Sequence, residues 1–151
     1  MKTYITKTFF PDGSSSGAYA INSLSEIAGY SAYSAIEKRA AYKDGNSGKN
    51  KGWRVFGVLT GGAGSGLSAQ VYGLNDNGLA VGWSRSSSGN RACVWENYQT
   101  PAATDLNTKI PTADQANWLL QVATGINASG KIVGYGLKNG NQHAFLLTPA
   151  P

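Results

Sequence analysis

The chain has 151 residues, sets 13 Lys and Arg against 8 Asp and Glu for a formal charge of +5, and is only 14% charged. A single cysteine, Cys93, and a single histidine, His143, exclude an intramolecular disulfide and a structural zinc cluster built from one chain. No apolar run reaches membrane-spanning length, so no membrane partner is expected; no metal or other cofactor is expected either.

Twenty glycines, with abundant Ser, Asn, Thr and Gln, favour turns and strands over helices. A chain of this size suits one compact domain, able to bury roughly 70% of its unfolded surface. Met1 to Lys7 shows neither a continuous apolar run nor a cleavage site, so no signal peptide is expected there. The cellular location stays open.

Taken in chain order, residues 3–10 read as a strand that precedes the first of three copies of one unit, at about 11–60, 61–110 and 111–151. Ala20-Ile21-Asn22 with Ile27-Ala28-Gly29-Tyr30 returns as Gly73-Leu74-Asn75 with Ala80-Val81-Gly82-Trp83. It returns again as Gly125-Ile126-Asn127 with Ile132-Val133-Gly134-Tyr135, and the three Asn stand 53 and 52 positions apart.

Each unit divides into four short strands. The first ends at the repeated Asn, whose side-chain oxygen can bond a backbone amide further along and lock the turn. The second spans 26–31, 79–84 and 131–136. The connecting turns place Gly78 and Gly130 where a positive φ is cheapest, and Ser25 takes that place in the first copy, which predicts a strained or differently shaped hairpin.

After a variable polar loop, the third strands are Arg39 to Tyr42, Arg91 to Trp95 and His143 to Leu147. The fourth are Trp53 to Thr60 and Ala102 to Asn107. Ser34 with Glu37 has the form of a capping box, but the register of the unit predicts a strand over Arg39–Tyr42. Thr112 to Gln115, following Pro111, predicts one helical turn. The third unit lacks a fourth strand, and residues 3–10 are spare, so the leading segment is expected to complete the last sheet and leave no open edge.

Gly125-Ile126-Asn127, Lys131-Ile132-Val133-Gly134-Tyr135-Gly136 and His143-Ala144-Phe145-Leu146-Leu147 together resemble the bacterial extracellular family named for its His-Ala-Phe tripeptide, the HAF repeat. Leu59-Thr60-Gly61-Gly62 and Asp105-Leu106-Asn107 are similar to its inter-repeat segments. The first two units carry Arg39 and Arg91 where the third has His143. The resemblance implies a propeller-like β fold in proteins that are usually exported, and it brings no catalytic residues.

The fold class is therefore all-β, with three repeats of about four antiparallel strands. Propellers have four to eight blades, so three blades suggest a homodimer with two chains in a six-bladed ring; a β-trefoil is the monomeric alternative.

Three aromatics, Tyr30, Trp83 and Tyr135, share one position of the unit and suit stacking against a sugar ring, though packing is the commoner use of such side chains. Six of the thirteen basic residues fall between Lys38 and Arg54. Lys43, Lys49, Lys51, Trp53 and Arg54 of that stretch form a second candidate site for an acidic or polar ligand. The aromatic interleaving of a single-strand binder is missing, so nucleic acid is not the expected partner.

His143 is expected to be a strand residue bonded to a neighbouring loop. Gly13 to Gly17 has the spelling of a nucleophile elbow, without the α/β context that motif needs. The expected function is a non-catalytic binding module for a glycan or protein partner. The alternatives are a carbohydrate-active enzyme, a glycoside hydrolase or lyase with its site in a central channel, and a structural or adhesive repeat protein.

Overall fold

A computed structural model describes residues 2–4, 15–32, 34, 37–44, 52–59, 68–96 and 102–150. The described residues form three antiparallel sheets. The first holds β1 (Ser16–Ile21), β2 (Glu26–Ala32), β3 (Lys38–Asp44) and β4 (Trp53–Val55) in that order. The second repeats the order with β5 (Ala69–Leu74), β6 (Leu79–Ser86), β7 (Gly89–Glu96) and β8 (Ala103–Asp105). The third holds β9 (Trp118–Ile126), β10 (Ile132–Lys138) and β11 (Asn141–Leu147). The fold is all-β, and among the described residues no barrel closes of the kind a trefoil requires.

The turn after each first strand has the same build. Asn22, Asn75 and Asn127 each donate their backbone N–H to the carbonyl of Glu26, Leu79 or Lys131, at 3.0 to 3.1 Å. Each side-chain oxygen accepts from the N–H of that same residue, at 2.9 to 3.1 Å. The third residue after each Asn then adopts a left-handed backbone, with φ of 65° at Ser25, 81° at Gly78 and 77° at Gly130. The first hairpin thus keeps the shape of the others and carries its strain at Ser25, since an L-residue pays a steric penalty where glycine does not.

A bulge interrupts each first strand, at Tyr19, Tyr72 and Thr124. It pushes a carbonyl toward the facing strand, where a Cβ on Gly29, Gly82 or Gly134 would run into the oxygen of Gly17, Gln70 or Val122. The recurring glycine of the unit is therefore required by a bulge on its neighbour.

The sheets stack face to face. β5 lies across β1, β2 and β3, and β9 lies across β5, β6 and β7. Between the first two sheets Ala28, Ala40, Tyr42, Phe56, Val71 and Trp95 form one core; between the second and third, Val81, Val94, Leu106, Leu120, Ile132 and Phe145 form another.

Several expectations need amending. The fourth strands are three residues each, because Phe56 and Leu106 turn inward right after them to fill the two junctions. The segment following β8 becomes a 3-10 turn, Leu106–Thr108, capped by Asp105, whose carboxylate accepts from the Asn107 N–H. The connections from second to third strand in the later sheets are tight two-residue turns, at residues 87–88 and 139–140, where variable loops were expected.

The strand over Lys38–Asp44 prevails over the capping-box signal: Ser34 Oγ does accept from the Glu37 N–H, but only to shape a local turn. The helical turn after Pro111 is α1 (Thr112–Gln115). The expected leading strand falls almost wholly outside the described residues, of which 2–4 carry no strand.

Candidate functional site

The three repeated aromatics do not gather in one place. Tyr30 on β2 pairs across the sheet with Gly17, where a Cβ would collide with its ring, and Lys38 Nζ stands 4.5 Å from the ring centroid. Trp83 is half-buried on β6. Tyr135 lies on the outer face of the third sheet and is exposed.

Tyr30 instead belongs to a cluster that its repeat position did not reveal. The bulge residues Tyr19 and Tyr72 approach each other, with ring centroids 5.1 Å apart, and Tyr19 stands 5.8 Å from Tyr30. Tyr72 OH donates to Gln70 Oε1 at 2.9 Å. Tyr19 keeps 49% of its surface in solvent. Partial burial, followed by the neighbouring phenols of Tyr30 and Tyr72, raises the Tyr19 pKa above the ordinary value, so its hydroxyl stays neutral and able to donate. A sequence signal for this cluster existed in the shared position of Tyr19 and Tyr72, three residues before the repeated Asn.

The basic segment divides. Lys43 is buried to 1% exposure in β3, opposite Ile27 and Trp53, and so is withdrawn from solvent; Trp53 is half-buried and Arg54 exposed on β4. Lys49 and Lys51 lie outside the described residues. The patch expected from this loop is therefore not one surface: Lys43 shares its face of the sheet with Ala41 and Ile27, opposite to the Tyr42 face, and both faces of β3 are buried there.

Four carboxylates serve the framework. Glu26 accepts from Tyr42 OH at 2.7 Å and from the Asn22 side chain; Asp105 pairs with Arg91 at 3.7 Å, and Glu37 with Arg39 at 3.4 Å. Asp76 accepts from the backbone N–H and the hydroxyl of Ser23 in the first sheet. Among the described residues no group of three or more His, Cys, Asp or Glu could hold a metal ion.

His143 is an exposed residue of β11, opposite Gly136, with no hydrogen-bond partner among the described residues, contrary to the expected bond to a loop. Cys93 is fully buried. Desolvation, and then the charge of Asp105, push its pKa up to about 12, which leaves an inert thiol.

Two grooves flank β11. One, of about 240 Å³, lies between its residues Ala144–Leu147 and Ile110, Asp114 and Trp118; the other, of about 900 Å³, opens between Leu106–Gln115 and the chain after β11. Comparison with protein-family models, curated proteins and solved structures finds no match.

Proposed function

We propose that this chain is a propeller-like, HAF-type repeat module of bacterial origin that binds a glycan without transforming it, and that the Tyr19, Tyr30 and Tyr72 cluster is its contact surface. The observation that carries this reading is the exposed ring of Tyr19, held by two further tyrosines and flanked by Lys38. A flat ring fixed in place offers apolar contact to the C–H face of a sugar at low entropic cost, while neutral phenol and amide groups supply hydrogen bonds to its hydroxyls.

That Glu26, Glu37, Asp76 and Asp105 are engaged in bonds within the framework favours binding over hydrolysis, which needs two carboxylates facing each other across a cleft.

Calorimetry with cello-, xylo- and malto-oligosaccharides tests the reading. Binding by the native chain that is lost in Tyr19→Ala and retained in Trp83→Ala supports it. Release of reducing ends from any of these sugars turns the assignment toward a carbohydrate-active enzyme. A native chain that binds none of them, or a Tyr19→Ala variant that binds as well as the native chain, removes the tyrosine cluster as a glycan site.

A further inference from the structure

We propose that two copies of this chain associate head to tail into one ring of six sheets, the outer face of β10 and β11 in each copy receiving β1 of the other. The inference goes beyond the glycan reading and does not depend on it. It starts from positions that are equivalent by register. Val81 and Val94 pair across β6 and β7, as Val133 and Leu146 pair across β10 and β11. The first pair is 0% and 5% exposed because β9 covers it. The second is 47% and 61% exposed. Ala92 is likewise buried where its counterpart Ala144 is in solvent.

The complementary surface lies at the other end of the same chain. Each incoming sheet docks through its first strand: Val71 and Leu74 of β5 are buried against the first sheet, and Ala123 of β9 against the second. Ala18 and Ile21 hold the positions of Val71 and Leu74 on β1, and both are exposed, Ile21 to 68%. One end of the stack thus shows an uncharged face built to receive a first strand, and the other shows a first strand whose Ala18 and Ile21 meet solvent, beside Ile27 and Lys43 of the same face, which are already buried within the chain. An apolar patch of this kind marks an interaction site.

A chain of amides points the same way. Asn22 Nδ2 donates to the carbonyl of Asn75 at 3.3 Å, and Asn75 Nδ2 donates to the carbonyl of Asn127 at 3.0 Å. Asn127 holds its side-chain oxygen in the same turn bond as the other two, yet among the described residues its Nδ2 meets no acceptor. The next acceptor in the series is the carbonyl of Asn22 in a second copy. Side rungs run parallel, from Ser23 to Asp76 and from Asn77 to the carbonyl of Ala128.

Head-to-tail contacts close into rings or run on as filaments. Sheets of this kind close in rings of about four to eight. With three sheets per chain, six is the only multiple in that range, and it is reached by two copies joined at two identical junctions.

Light scattering and sedimentation equilibrium on the whole chain, with single and mixed variants, test the proposal. The native chain is expected at twice the chain mass. Leu146→Lys at the tail and Ile21→Lys at the head are each exposed substitutions that leave folding intact. Each should weaken association about a hundredfold, the effect of setting a charge into an apolar contact. An equimolar mixture of the two variants should recover partial dimer, because one native tail still meets one native head.

A native chain of single mass overturns the proposal, as does a mass that keeps growing with concentration. Dissociation by Leu146→Lys with no effect of Ile21→Lys overturns it too, since that pattern belongs to two third sheets meeting face to face.

Discussion

The two junctions between sheets follow one plan and use different fillings. In the first, Phe56 sits between Tyr42 and Trp95, with ring centroids 6.2 and 5.7 Å away, and the Trp95 indole N–H donates to the carbonyl of Gly57 at 2.8 Å. In the second, Leu106 takes the place of Phe56 and packs with Val94, Leu120 and Phe145. The polar link there is Asn107, whose side chain donates to the carbonyl of Leu120 at 2.9 Å and accepts from the Leu120 N–H at 2.7 Å. The path of the chain after the fourth strand fixes where the plug goes. Volume and a polar tie between loop and strand, one bond in the first junction and two in the second, are then all the junction asks, which is how cores generally tolerate exchange of their contents.

The largest effect should come from removing a plug. Phe56→Ala is expected to destabilise the chain by about 3–5 kcal/mol and Leu106→Ala by somewhat less, about 2–4 kcal/mol, in urea unfolding. Cys93 belongs to the first core, so its alkylation reports on that junction alone. Faster alkylation in Phe56→Ala than in Leu106→Ala would show that the junctions open separately, and equal rates would show that they open as one.

An intermediate effect is expected at Asn107. Asn107→Ala leaves both backbone groups of Leu120 without their partner and should cost about 1–3 kcal/mol by the same measurement. A loss below a few tenths of a kcal/mol would mean that water replaces the amide and that the second junction holds by apolar packing alone.

The smallest effect concerns the turns that lead into the sheets. Ser25→Gly should raise stability by up to about 1 kcal/mol, relieving the left-handed backbone at that turn, and Gly78→Ser should lower it by a similar amount. A rise in thermal midpoint for the first and a fall for the second would confirm that the two hairpins share one geometry; destabilisation by Ser25→Gly would mean that the Ser25 side chain contributes more than its strain takes away.

Much of this was legible in the chain. The recurring Asn and the Gly at positions 78 and 130 give the turns, and the short segments repeated on either side of them give the strands, because turns are local matters settled within a few residues of backbone. The register of β3 over a helix-like stretch was legible only by comparison with its sister copies, since propensity alone favoured a helix start at Ser34. Reading Asn22, Asn75 and Asn127 as turn locks captured their oxygens and missed their amide nitrogens, which reach into the next sheet.

Lys43 and Tyr19 show the same divide at the candidate site. Alternation says which face of a strand a residue occupies and nothing of what lies over that face. Lys43 looked like part of a basic loop and is buried, while Tyr19 looked like an ordinary strand residue and, set on a bulge, emerges beside Tyr30 and Tyr72.

By itself, then, the sequence determined that three like sheets form and where their first hairpins turn, since a unit written three times repeats its structure and turn chemistry acts over short distances. Only the tertiary structure decided that Val81 is buried while Val133 is not, that Phe56 and Leu106 become plugs, and which tyrosine meets solvent. Burial depends on the neighbour that lies across a face, and that neighbour is some fifty residues away or, at Val133, absent from the chain's own described sheets.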